Sequence, residues 1–255
     1  MKMYDNFLGL NICNITLDFL PADTNERLEE NKKIAGEDWY YCSHPLSYKI
    51  NDIGHRSNSI NEIDLSNYIL FTGCSHTFGI GLELEKLYGV KIANLLKTDY
   101  YNLSIPGTGI DVMEYNLLMW FGKIKQPPKL LIIQMPDHTR YCSYNPYIGN
   151  SFFVETGSWA VDKDEQRMIV DCETSGFFSA RKLLTYKNID NIATCPIIYV
   201  NVAGQANRNN DGLKLRNLDL ARDLAHYGNK SHETFTNDLH EFIKVAYPNL
   251  LNTAA

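Results

Sequence analysis

YILFTGCSHTFGIG, residues 68–81, is the stretch that decides the fold. Its first half, YILFTG (68–73), is a short apolar run closed by a glycine. That is the pattern of a strand buried on both faces of a parallel sheet. Downstream, LEKLYGVKIANLLK (84–97) carries apolar residues at helical spacing, and YYNLS (100–104) reads as a second short strand followed by PGTG. IDVMEYNLLMWFGKI (110–124) is helical by pattern and is ended by Pro127-Pro128. KLLIIQM (129–135) is the strongest strand in the chain. The segment 140–175 is aromatic and irregular, an insertion with candidate short strands near 151–155 and 166–171. FFSARKLLTYKNIDNIA (177–193) predicts a helix, PIIYVNV (196–202) a fourth strand, LRNLDL (215–220) a fifth, and GNKSHETFTNDLHEFIKVAY (228–247) a final helix. Strands alternating with helices predict an α/β fold, a mostly parallel five-stranded sheet covered by helices on both faces. Ligands of such folds bind at the carboxyl ends of the strands.

Upstream of residue 68 the periodicity is weak. ADTNERLEENKKIAGEDW (22–39) is a charged stretch with helical character, and residues 40–67 are rich in turn formers. Residues 1–67 therefore read as an N-terminal extension packed on a domain of residues 68–255. The whole chain has 255 residues, 24 Lys plus Arg against 30 Asp plus Glu, and a net charge of −6. With 44% hydrophobic and 21% charged residues the composition is that of a globular protein. The acidic balance argues against nucleic acid as a partner, because no basic face is available for phosphates. No run of apolar residues is long enough for a membrane span. Asp5, Asn6, Asn11 and Asn14 interrupt the N-terminal apolar residues, which makes a poor signal peptide. The expectation is a cytoplasmic or virion-associated protein; the abundance of Asn, Lys, Ile and Tyr fits an AT-rich genome, phage included. Cysteines at 13, 42, 74, 142, 172 and 195 show neither CxxC nor zinc-finger spacing and read as free thiols.

Four strand ends carry chemistry. After the first comes Gly73-Cys74-Ser75-His76-Thr77-Phe78-Gly79. A serine there presents its hydroxyl at the mouth of the sheet, or simply caps a tight turn. After the second comes Asn102-Leu103-Ser104-Ile105-Pro106-Gly107-Thr108-Gly109, whose glycines let backbone N–H groups approach a ligand. After the third comes the polar cluster Gln134-Met135-Pro136-Asp137-His138-Thr139-Arg140. Before the last helix comes Asp223-Leu224-Ala225-His226. An Asp three residues before a His can hold one imidazole nitrogen and leave the other to face a nucleophile.

Taken in chain order, these blocks resemble the SGNH hydrolase superfamily, the GDSL-type esterases. FTGCSHTFGIG stands for the family's Gly-Asp-Ser block, with Cys74 in place of Asp. Asn102 and Gly107 match the second block, Asp223 and His226 the last, and NDIGHRSNSI (51–60) resembles a lead-in seen in some members. The resemblance covers roughly residues 68–247 and implies a three-layer, flavodoxin-like sandwich. It implies Ser75 as nucleophile, His226 as base and Asp223 as its orienting carboxylate. The backbone N–H groups of Ser75 and Gly107 become oxyanion donors, with His76 and Asn102 beside the substrate. No metal or other cofactor is implied. In its third block the family has Gly-x-Asn-Asp, whereas this chain reads Gln134-Met135-Pro136-Asp137. Pro136 cannot donate, so Gln134, His138 and Arg140 are the candidates for a third donor.

The expected function is hydrolysis of small O-acyl esters, acetyl above all, on a small-molecule or carbohydrate substrate, the last by resemblance alone. An acyltransferase with the same triad and a non-catalytic binding or structural module are the alternatives. An α/β-hydrolase fits less well, since Thr77 occupies the second glycine of Gly-x-Ser-x-Gly. Cys74 as nucleophile and a metal at His76 and His138 are weaker readings. His232 and His240 are expected at a surface or interface. Tyr141, Tyr144, Tyr147, Phe152, Phe153 and Trp159 form either one wall of a sugar cleft or the small core of the insertion. Oligomeric state is open.

Overall fold

The computed structural model describes residues 7–137, 140–143, 154–156, 171, 176–202 and 213–251. The central sheet contains β3 (Tyr68–Thr72), β4 (Asp99–Asn102), β5 (Leu130–Gln134), β8 (Ile197–Val202) and β9 (Lys214–Leu215). Its order is β4-β3-β5-β8-β9, and every pairing is parallel. Numbered within the sheet this is 2-1-3-4-5, the flavodoxin-like order, with its switch point between β3 and β5. The protein is thus α/β, as the alternation predicts, and the sheet is parallel throughout.

Alternate residues of each strand feed opposite layers. Ile69, Phe71, Ile132, Ile198 and Val200 join a core with α3 (Tyr88–Leu96) and α6 (Asn229–Ala246). Tyr68, Leu70, Leu131, Ile133 and Tyr199 face α4 (Ile110–Lys123) and α5 (Phe177–Ile192). Both faces are covered, which explains why the strands read as unbroken apolar runs. Among the described residues no helix is long and apolar enough to cross a membrane.

Three elements depart from the sequence expectations. The helix expected over 84–97 breaks at Leu87, which is extended and buried, leaving a 3-10 turn at Leu84–Lys86 before α3. The strand expected over 215–220 ends at Leu215. Asp219 is drawn off to the start of α6, where its carboxylate accepts from the N–H groups of Lys230 (2.9 Å) and Ser231 (2.8 Å). His232, expected at the surface, is buried on the same stripe of α6 as Phe235, Leu239 and Ile243. Its Nδ1 accepts from the Tyr88 N–H at 3.2 Å. The insertion contributes a two-stranded antiparallel pair, β6 (Tyr141–Ser143) with β7 (Val154–Thr156). The strand expected near 166–171 and the aromatic residues Tyr144, Tyr147, Phe152, Phe153 and Trp159 lie outside the described residues, Asp171 apart.

The N-terminal segment pairs β1 (Ile15–Leu17) with β2 (Tyr48–Ile50) and adds α1 (Asn25–Ala35), started by Thr24, whose hydroxyl accepts from Arg27 N–H. Three fully buried polar side chains tie it to the rest. His55 bonds Tyr101 Oη (2.9 Å) and Leu8 carbonyl (2.8 Å) through its two ring nitrogens. Arg56 donates to the carbonyls of Gly79 and Leu82, each at 2.6 Å, and of Phe78 at 3.2 Å. Asp23 meets Arg222, with Nη2 to Oδ2 at 2.7 Å and side chains 0% and 3% exposed.

Removing one member of such a buried pair strands the other's charge and costs about 3–5 kcal/mol. Asp23→Ala is therefore expected to lower unfolding stability by that amount in urea, and an unchanged midpoint would show the pair to be dispensable. Acid should act through the buried histidines. Burial holds His55 down to about 4 and His232 to about 3, against 6.5 for a free ring. The unfolded chain then binds more protons than the folded one below about pH 6.5. Stability is expected to fall as pH drops from there towards 4, by up to ~1.4 kcal/mol per pH unit for each ring. His232→Asn keeps an acceptor for Tyr88 and should make that fall shallower; an identical slope in the variant would contradict the assignment.

Candidate active site

The site is built on the turn that follows β3. Gly73 leaves no room for a side chain: a Cβ there would stand 2.6 Å from Thr77 Oγ1 and 2.8 Å from Gln134 Oε1. Gln134, at the end of β5, closes the turn from the neighbouring strand. Its Oε1 accepts from the Cys74 N–H (3.1 Å), the Cys74 thiol (3.2 Å) and the Thr77 hydroxyl (3.2 Å), while Nε2 donates to the Met135 carbonyl (2.8 Å). This side chain is fully buried and engaged at both ends, so it braces the turn. The single helical turn α2 (Ser75–Phe78) follows at once.

Ser75 opens α2 and is 8% exposed. Its hydroxyl donates to Cys74 Sγ at 4.0 Å, a long contact even for sulfur. Among the described residues no hydrogen bond joins Ser75 to His226. Catalytic hydrogen bonds are often open without substrate and close in the complex. The N–H groups of Ser75 and of Gly107, a glycine at φ +82°, have no acceptor among the described residues.

The Asp223–His226 segment lies between β9 and α6. Asp223 Oδ2 accepts from His226 Nδ1 at 2.5 Å, and Oδ1 accepts from the N–H groups of His226 (3.0 Å) and Ala225 (3.1 Å). The carboxylate is wholly buried and the imidazole 17% exposed. Burial pushes the Asp223 carboxyl up, but the bonds and charge of His226 and the two N–H groups outweigh it, leaving it below the ordinary value. To bind its own N–H groups in this way the loop places Leu224 at φ +51°. The Ala221 N–H closes the loop on the His226 carbonyl at 2.8 Å.

Two contacts bring this loop to the serine turn. The Arg222 N–H donates to the Gly81 carbonyl at 3.0 Å. Gly81, at φ +74°, accepts no side chain, since a Cβ would lie 2.8 Å from Ala221 Cβ and 2.9 Å from Arg222 N. The ring of His76, the residue after Ser75, stands 4.9 Å from the ring of His226 and 4.5 Å from that of Tyr227. The chain segments bearing Ser75, Asp223 and His226 thus meet at the carboxyl edge of the sheet.

The other expected site residues divide. Asn102 has no exposed surface: Nδ2 donates to the Thr77 carbonyl (3.3 Å) and Oδ1 accepts from the Ser104 N–H (3.0 Å) and the Ser104 hydroxyl. Its polar atoms are engaged by protein groups. His76 is mostly buried, and burial, followed by the nearby charges of His226, His232 and Arg140, holds its ring down to about 3. Arg140 is half-buried, its N–H on the Asp137 carbonyl (3.0 Å) and its own carbonyl against Gly109. His138 lies outside the described residues. Cys13, Cys42, Cys74 and Cys195 are free thiols. Among the described residues no group of three His, Cys, Asp or Glu side chains forms a metal cluster. Sequence reasoning missed Asp23, Tyr48 and Arg222, which hold the two site loops together.

No family model matches the sequence, and no curated protein matches it. Among solved structures the chain is similar to a carbohydrate esterase family 2 enzyme plus carbohydrate binding domain from Corynascus thermopiles (Myceliophthora fergusii). Identity is 16% and the TM-score 0.39, over 71% of this chain and 66% of that one. It is also similar to the acetyl xylan esterase Est2A from the rumen bacterium Butyrivibrio proteoclasticus, at 13% identity and TM-score 0.37, over 71% and 64%. A lipolytic protein of the G-D-S-L family from Desulfitobacterium hafniense shares 12% identity at TM-score 0.28, over 71% and 73%. The match spans slightly less than two thirds of the first two of these chains. The parallel 2-1-3-4-5 sheet, with Ser75 and the Asp223–His226 pair at its carboxyl edge, stands on this chain's own strand pairings and contacts.

Proposed function

We propose that this protein is a serine esterase that hydrolyses small O-acyl esters, acetyl esters on carbohydrate in particular, through Ser75, His226 and Asp223. The observation that carries the reading is the 2.5 Å Asp223–His226 pair, buried on the carboxylate side and open on the imidazole side, in ring contact with the residue after Ser75. The choice of carbohydrate rests on the family resemblance alone.

In this mechanism the Ser75 hydroxyl leaves Cys74 and turns to His226 Nε2. It attacks the ester carbonyl while His226 takes its proton. Asp223 keeps Nδ1 protonated and stabilises the imidazolium. The N–H groups of Ser75 and Gly107 receive the oxyanion. His226 then returns the proton to the departing alcohol. Water, deprotonated by the same ring, frees the acid and restores Ser75. Gln134 is committed to the turn and Pro136 has no N–H, which leaves His138 and Arg140 as the candidates for the third donor. One oxyanion donor is worth about 10²–10³ in rate.

A second reading is a binding module that has kept the fold without the chemistry. It is favoured by Pro136 where the resemblance expects an asparagine and by the orientation of the Ser75 hydroxyl away from His226. An acyltransferase would use the same residues with an alcohol in place of water.

Labelling by a fluorophosphonate probe separates the first two readings. Wild-type protein should label and release acetate from an activated acetyl ester, and Ser75→Ala should do neither, with turnover down by about 10⁶ as for serine-protease nucleophiles. Asp223→Asn should keep its fold and lose about 10⁴ in kcat by presenting the wrong tautomer. Folded wild-type protein that resists the probe would sink the esterase reading in favour of the binding module. Acetyl transfer to a sugar hydroxyl in preference to water would identify the transferase.

A further inference from the structure

We propose that His76 is a positioning residue for His226, fixing the plane of the base from the same helical turn that carries the nucleophile. This rests on His226 being the base. Among the described residues one hydrogen bond holds the His226 ring: Nδ1 to Asp223 Oδ2. Such a bond fixes the position of Nδ1 but leaves the ring to swing about the bond axis, and the swing moves Nε2. The His76 ring meets the His226 ring edge-to-face, at an interplanar angle of 64° and 4.9 Å between centroids. That is a preferred geometry for a ring pair. The same His76 ring lies tilted against Tyr227 at 4.5 Å, so it docks on two consecutive residues of the loop. Swing of His226 would collide with a ring that is itself wedged.

His76 suits this task because it does not compete for the proton. Its Nδ1 is buried and has no hydrogen-bond partner among the described residues, and burial first, then the nearby charges of His226 and Arg140, hold the ring neutral against the negative charge of Asp223. The proton taken from Ser75 therefore has one destination, His226. An unpartnered buried nitrogen is destabilising, so the ring is held for its shape and not for a hydrogen bond of its own. Because His76 follows Ser75 directly, any shift of α2 carries the nucleophile and the guide of its base together.

Two readouts on the full chain test this. The first is the set of histidine ring signals in proton–nitrogen NMR spectra. His226 should give one set in wild-type protein, a displaced or broadened set in His76→Ala, and a set close to wild type in His76→Phe. The second is turnover per fluorophosphonate-reactive site, which removes any misfolded fraction. His76→Ala should lose on the order of 10- to 100-fold in kcat, the scale of an ångström of misplacement, with KM unchanged, and His76→Phe should recover most of it. Unaltered His226 signals and turnover in His76→Ala, or no recovery by phenylalanine, overturn the role while leaving the esterase reading intact. Wild-type protein without turnover overturns both.

Discussion

The site depends on one closed circuit of buried polar contacts. The Gly81 N–H donates to Tyr48 Oη at 2.8 Å, and Tyr48 donates in turn to Asp23 Oδ2. Asp23 holds the Arg222 guanidinium through Nε and Nη2, and the Arg222 backbone N–H returns to the Gly81 carbonyl. Gly81 belongs to the serine turn, Arg222 directly precedes Asp223, and Asp23 and Tyr48 come from the N-terminal segment. Four residues from three parts of the chain thus set the spacing between the Ser75 turn and the Asp223–His226 loop. The ion pair at the centre is expensive to desolvate and gains from its remaining contacts: Arg222 also donates to the carbonyls of Asp18 and Leu46 and lies 4.8 Å over the Phe19 ring. Such a pair specifies geometry more than it adds stability.

The N-terminal segment is therefore part of the site's framework. Arg56 makes the same point on the other side of α2, where its guanidinium gathers the carbonyls of Phe78, Gly79 and Leu82 and lies 4.6 Å over the Tyr48 ring. Without it the inward-turned carbonyls of Phe78 and Leu82 would lose the donor that satisfies them. The lead-in NDIGHRSNSI, which looked in the sequence like a distant echo of a family pattern, has this physical content: His55 pins the segment to β4 through Tyr101, and Arg56 closes the loop behind the serine turn.

The sheet was legible in the sequence because β3 and β5, and β8 almost throughout, are buried on both faces, so local pattern and final environment agree. That the segments bearing Ser75, Asp223 and His226 come together was legible because strand ends can be located from the pattern and polar residues there stand out. The circuit of Asp23, Tyr48, Gly81 and Arg222 was not, since Asp23 and Arg222 are 199 residues apart and nothing local marks either as a partner. The same holds for Gln134 and Asn102. Both look like ligands-in-waiting at a strand end, and both prove to be fully buried braces whose partners are backbone and side-chain groups of nearby turns. Polar residues at strand ends serve the turn first and the ligand second, and sequence position alone does not separate the two.

The departure at Pro136 then has a definite consequence. Proline removes a donor and stiffens the chain after β5, and the loop runs on until the Arg140 carbonyl lies against Gly109, two residues past Gly107. The loop after the third strand is thereby pinned beside the turn that offers the Gly107 N–H. The charge of Arg140 reaches His76, the neighbour of Ser75, and so also the space in front of the serine turn. An oxyanion is stabilised by the field of fixed donors and charges around it, whichever residue supplies them. A guanidinium brings both N–H groups and a full positive charge, where an asparagine brings a neutral dipole. In the proposed mechanism the Arg140 charge, which adds to burial in holding His76 neutral, is also available to the developing oxyanion.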